Sequence, residues 1–76
     1  MSKHNAMMIF TRNIGVMLTD RGWSVKGLAD KVGMDRSNLS KIIRGVHSPN
    51  LALIEKIAIA LDVEAFELIQ EKELIL

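Results

Sequence analysis

No cysteine occurs anywhere in the chain. That absence removes disulfide frameworks, thiolate zinc sites and thiol nucleophiles together, and it fits a reducing, cytoplasmic setting. Long apolar runs are missing too. The longest, residues 6–10 and 57–61, fall far short of the ~20 needed to cross a membrane. The opening residues Met1, Ser2, Lys3, His4 and Asn5 lack the apolar core of a signal peptide. No segment alternates apolar and polar residues as a strand does, and neither a repeat nor a flexible linker interrupts the pattern. With 76 residues there is too little chain for two cores or for most cofactor-binding α/β folds. A chain this short buries only roughly 60–65% of its unfolded surface, so modest intrinsic stability is expected. The expectation is one cytoplasmic domain spanning residues 1–76.

What is present is a globular composition, 49% hydrophobic and 25% charged. The net charge of +1 conceals an asymmetry. Up to Asn50, eight basic residues face Asp20, Asp30 and Asp35, a net charge of +5. From Leu51 onward, Lys56 and Lys72 face six acidic residues, a net charge of −4. A basic surface carried on an acidic support is the pattern of an anion-binding module.

The spacing predicts about five helices and an all-α bundle. Over residues 7–21, Phe10, Ile14, Met17 and Leu18 form one apolar stripe. Gly22 is a natural helix stop, and Ser24 is placed to cap a short helix from Val25 to Val32. Gly33 ends that helix, Asp35 is placed to cap the next over residues 36–44, and Gly45 follows its end. A fourth helix starts either with Ser48 as cap and Pro49 in the first turn, or with Asn50 as cap. Leu51, Ile54, Ile57, Ala58 and Leu61 line its inner face, widened by Leu53 and Ala60, so it should be largely buried. A fifth helix covers residues 65–69, with a possible extension through residues 70–73.

The informative window is residues 25–42. Gly33, Met34 and Asp35 are too short a link for an ordinary antiparallel helix pair, and such a turn sets helices at a steep angle. Close approach of the two helices demands a small residue, and Ala29 supplies it. Four residues on, the chain must turn with positive φ, which Gly33 does without strain. Leu28, Val32, Met34, Leu39 and Ile42 are all apolar and should face the shared core. The turn unit thus spans about residues 24–45.

From about residue 14 to 69 the sequence resembles the Cro/repressor (Xre-like) helix-turn-helix family of phage repressors and bacterial regulators. The likeness rests on Trp23-Ser24, Leu28-Ala29, Val32-Gly33-Met34, Leu39-Ser40-Lys41-Ile42 through Gly45, Pro49-Asn50-Leu51 and Ile57-Ala58-Ile59-Ala60-Leu61. It implies a five-helix bundle that binds operator DNA, usually as a two-fold dimer, with the third helix in the major groove. The base readers it implies are Arg36, Ser37 and Asn38, with Lys41 one turn further. Their chemistry suits the role: Arg36 can pair bidentately with guanine, Asn38 with adenine, and Ser37 is permissive. Phosphate contacts are expected from Ser24, Lys26, Arg44, His47, Ser48 and Asn50, which would set affinity and register.

Three positions depart from the family pattern. Val25 stands where many members carry a glutamine, so hydrogen bonding there is lost and Lys26 offers charge instead. Leu18 and Ile43 stand where many members pair an arginine with a glutamate, a swap of ions for hydrocarbon that need not weaken the fold. Gly27 replaces a helix former at about 1 kcal/mol. Trp23 reads as a core-edge residue, while Lys3, Lys31 and Lys72 read as solvated surface. His4 and His47 are too far apart to indicate a metal site, and no cofactor or small-molecule ligand is indicated.

The tail of residues 70–76 ends in Leu74, Ile75 and Leu76. These side chains either fold back on the core or join Ile59 in a dimer contact. The leading expectation is a sequence-specific transcriptional regulator, a phage or prophage-type repressor that occupies an operator, with activation by contact to polymerase open to it. The alternative is an antitoxin-like or adaptor module using the acidic C-terminal helices. An enzyme is not expected, because no phosphate loop, nucleophile elbow or metal cluster is present.

Overall fold

The computed structural model describes residues 6–70. Among them the chain forms α1 (Ala6–Arg21), α2 (Val25–Val32), α3 (Arg36–Ile43), α4 (Leu51–Leu61) and α5 (Ala65–Ile69), and no strand. None of these helices is long and apolar enough to cross a membrane. The first helix begins one residue earlier than its apolar stripe predicts, and the second matches its predicted limits.

One core gathers side chains from every helix. It contains Phe10, Ile14, Met17 and Leu18 of α1, Leu28 and Ala29 of α2, and Leu39 and Ile42 of α3. Ile57, Ala58 and Leu61 of α4 and Leu68 of α5 complete it. Trp23, Val32, Met34 and Ile43 pack against its edge, so Leu18 and Ile43 are both accommodated as hydrocarbon. The first helix lies against α5 and α3, and α4 lies against α2 and α5.

The first four helices stop in the same way. In each, a residue just past the end takes the left-handed region (Gly45, one place beyond the right-handed Arg44, in the case of α3), and the following N–H reaches back to a carbonyl five residues earlier. These bonds are Trp23 N to Leu18 O, Met34 N to Ala29 O, Val46 N to Lys41 O and Val63 N to Ala58 O, at 2.8–3.0 Å. Gly22, Gly33 and Gly45 supply three of the left-handed residues, and Asp62 at φ 60° supplies the fourth. The stop at Asp62 carries no glycine, so the chain's spelling does not advertise it.

Several expectations need correction. Leu51 is 69% exposed, because the first turn of α4 overhangs the core that its apolar arc points toward. Asn50 is the cap of α4: its Oδ1 accepts the Leu53 N–H at 2.8 Å, which settles the choice against Ser48. The last helix ends at Ile69, since Gln70 is already extended. Residues 71–76, with Lys72, Leu74, Ile75 and Leu76, lie outside the described residues, as do Lys3 and His4.

Two polar side chains of α1 hold the C-terminal helices. Asn13 is buried, and its Nδ2 donates to the carbonyls of Glu67, Leu68 and Gln70 at 3.2, 2.8 and 3.0 Å. A helix as short as α5 leaves its last carbonyls without internal partners, and the two hydrogens of this amide are spread over two of them and the Gln70 carbonyl just beyond the helix. Arg21 does the same for α4, its Nη2 donating to Leu61 O at 2.9 Å.

Candidate nucleic-acid interface

The turn between α2 and α3 is built as its chemistry requires. Ala29 is buried where the helices meet, and Gly33 sits at φ 76°, ψ 36°. Its N–H and that of Met34 bond back to Asp30 O and Ala29 O at 3.3 and 3.0 Å. A side chain at this φ would strain the backbone, which is why glycine occupies it. At the front of α2, Ser24 is extended and its Oγ accepts the Gly27 N–H at 3.0 Å.

The division of α3 into two faces follows. Leu39 and Ile42 are buried, while Arg36, Ser37 and Asn38 are exposed together on the first turn. Lys41, one turn on, is half-buried. Side chains three and four apart share a helix face, so the cations and amides of this turn form one outward surface.

Asp35 occupies the N-cap position, yet its side chain makes no cap bond to the helix. Only its backbone carbonyl serves α3, accepting the N–H groups of Asn38 and Leu39, each at 3.1 Å. The carboxylate instead accepts the Ser37 hydroxyl. Asp35 is thus corrected from a side-chain cap to an outward-facing acceptor.

The expected phosphate contacts fall into two groups. Ser24 and Lys26 lie on the exposed N-terminal turn of α2, where Lys26 Nζ already pairs with Asp30 Oδ2 at 3.2 Å. Both partners are largely exposed, so this ion pair is weak and exchangeable. Arg44, His47, Ser48 and Asn50 form the second group, all exposed on the segment after α3. That segment is tied down by Val46 N and His47 N, which reach Lys41 O at 2.8 and 3.3 Å. Val25 packs against the core and presents nothing polar at its place.

Two further positions complete the surface. The ammonium of Lys31 lies 4.7 Å from the centre of the half-buried Trp23 ring, so this lysine is a cation–π partner rather than simple solvated surface. Ile59 is 78% exposed on α4, outside the apolar arc that faces the core. Sequence reading missed Asn13, Arg21 and the Asp35–Ser37 pair. Only the last had a local signal, an aspartate two residues before a serine.

A short helix, a glycine turn and an exposed first turn of a second helix define a helix-turn-helix unit. A helix-turn-helix family model matches residues 17–68, well over half of the chain. The chain is 36% identical over 55 residues to the HTH-type transcriptional regulator SinR from Bacillus licheniformis, covering 71% of this chain and 50% of that protein. The solved structure of a hypothetical transcription factor from Neisseria superposes with a TM-score of 0.86 at 30% identity, covering 93% of this chain and 82% of that one. A restriction-modification controller protein from Aeromonas hydrophila superposes with a TM-score of 0.77 at 35% identity, covering 82% of this chain and 94% of that one. The chain belongs to the Xre-like helix-turn-helix family of transcriptional regulators, a non-enzymatic family. It spans only 50%, 32% and 49% of three curated regulators that it matches.

Proposed function

We propose that this chain is a sequence-specific reader of double-stranded DNA that acts in the cytoplasm by occupying an operator, as a phage or prophage-type repressor does. The observation that carries the reading is the first turn of α3: Arg36, Ser37 and Asn38 stand exposed while Leu39 and Ile42 anchor the same helix in the core. Arg36 pairs with guanine through O6 and N7, Asn38 with adenine, and Lys41 extends the face along the groove. Ser24, Lys26, Arg44, His47, Ser48 and Asn50 hold the phosphates on either side, setting register without reading sequence. The active form is a two-fold dimer joined through Ile59 and the apolar tail of Leu74, Ile75 and Leu76. It places two reading helices roughly 34 Å apart, one turn of DNA.

The test is selection of bound duplexes from a randomised pool at fixed salt, followed by footprinting. A palindromic site is expected, with affinity falling steeply as salt rises. Arg36→Ala should cost about 1–3 kcal/mol and relax one base preference. Equal retention of all sequences by the unaltered chain would sink the proposal.

A further inference from the structure

Within that reading, Asp35 and Ser37 raise a separate question. A carboxylate at the mouth of a DNA-reading helix faces a strongly negative partner, and its usual justification is to cap the helix. Here it caps nothing: its carboxylate accepts no backbone N–H of α3. Its exposed carboxylate holds the Ser37 hydroxyl instead.

That bond changes what Ser37 offers. A serine hydroxyl has one hydrogen, and this one is spent on Asp35. The Ser37 oxygen therefore turns only lone pairs outward, and the ionised Asp35 carboxylate has only lone pairs to give. Serine loses its permissiveness, and the two side chains become a single acceptor surface beside the donors of Arg36.

The base edges in the major groove respond differently to such a surface. Guanine shows N7 and O6 and thymine shows O4, all acceptors that repel it. Adenine shows an N6 donor, but the N7 acceptor lies beside it. Cytosine alone shows a donor, its N4 amine, with no acceptor on its own edge, the O6 of its paired guanine lying across the pair.

We infer that Asp35 and Ser37 act together as an acceptor-only element that selects cytosine at one position of each half-site. The inference rests on the DNA-binding reading above. The negative charge weakens binding to every duplex and weakens it most where the facing base has no amine. General affinity is thereby exchanged for discrimination.

The experiment is duplex selection from a pool with a randomised centre, run at fixed salt with the unaltered chain, Asp35→Asn, Ser37→Ala and Asp35→Ser. Circular dichroism on each variant checks that the helices persist. Asp35→Ser adds a residue that caps helices well, which keeps the test open if the asparagine variant folds poorly. The unaltered chain should prefer cytosine at one position by roughly 5- to 100-fold. Asp35→Asn should move that position toward adenine, because an amide both donates and accepts. Ser37→Ala should keep cytosine with a preference several-fold weaker, and Asp35→Ser should lose it. Variants with an unchanged base profile and a uniform gain in affinity would overturn the inference while leaving DNA reading intact. An unaltered chain that enriches no sequence overturns the DNA reading, and this inference falls with it.

Discussion

The reading unit and the C-terminal helix pair are fastened by different means. Between Ser24 and Val46 the polar bonds join near neighbours: Ser24 to Gly27, Met34 to Ala29, and Val46 to Lys41. The pair α4 and α5 has local bonds as well, such as Asn50 to Leu53 and Val63 to Ala58, but it is also tied to α1, through Arg21 on Leu61 O and Asn13 on the last carbonyls of α5. Local bonds form as soon as their own helix forms. Remote ones form only when the whole bundle closes, so their loss should be felt most at the C-terminal end.

The largest effect should come from cutting the deepest remote tie. Asn13→Ala leaves buried carbonyls unpaired and should cost about 2–3 kcal/mol in chemical unfolding. Hydrogen exchange in α5 should rise far more than in α2 and α3. Equal acceleration everywhere would abolish the contrast between the two regions. Cutting the local side at Gly33→Ala should cost about 1–2 kcal/mol, because the left-handed backbone must now carry a Cβ. Its exchange signature should centre on residues 29–34, the opposite pattern to Asn13→Ala.

Arg21→Ala should lower stability by about 1 kcal/mol, since the freed Leu61 carbonyl is only partly buried and water can replace the guanidinium. Thermal melting measures it, and the loss should exceed that of Arg12→Ala on the same helix. The smallest effect runs the other way. Asp62→Gly relieves a left-handed side chain at the end of α4 and should add about 0.5 kcal/mol. A loss there would mean that the Asp62 side chain contributes more than its backbone strain costs.

The same contrast explains what could be read from the residues. Most devices that work within five residues of themselves and use the usual residue types were legible: the helix stops at Gly22, Gly33 and Gly45, the Ser24 cap, and the small Ala29 at the crossing. So was the outward set of Arg36, Ser37 and Asn38, because Leu39 and Ile42 fix the opposite face. Asn13 was not legible, since its partners lie 54 to 57 residues away and a lone asparagine on a helix announces nothing. Leu51 was misplaced because periodicity reports the direction of a side chain without saying where the core ends. Asp62 escaped because its stop uses a residue type that more often sits in turns or at helix starts. The role of Asp35 depended on a choice between two hydrogen-bond partners, and only the geometry shows which one it takes.

Trp23 is the chain's single tryptophan, and there is no tyrosine. Ultraviolet emission excited at the indole band therefore originates from one ring, seated at the joint between α1 and α2 beneath the Lys31 ammonium. The protein carries its own fluorescent gauge of how firmly the reading end is joined to the rest. Its docking can be followed in a stopped-flow cuvette without attaching any dye.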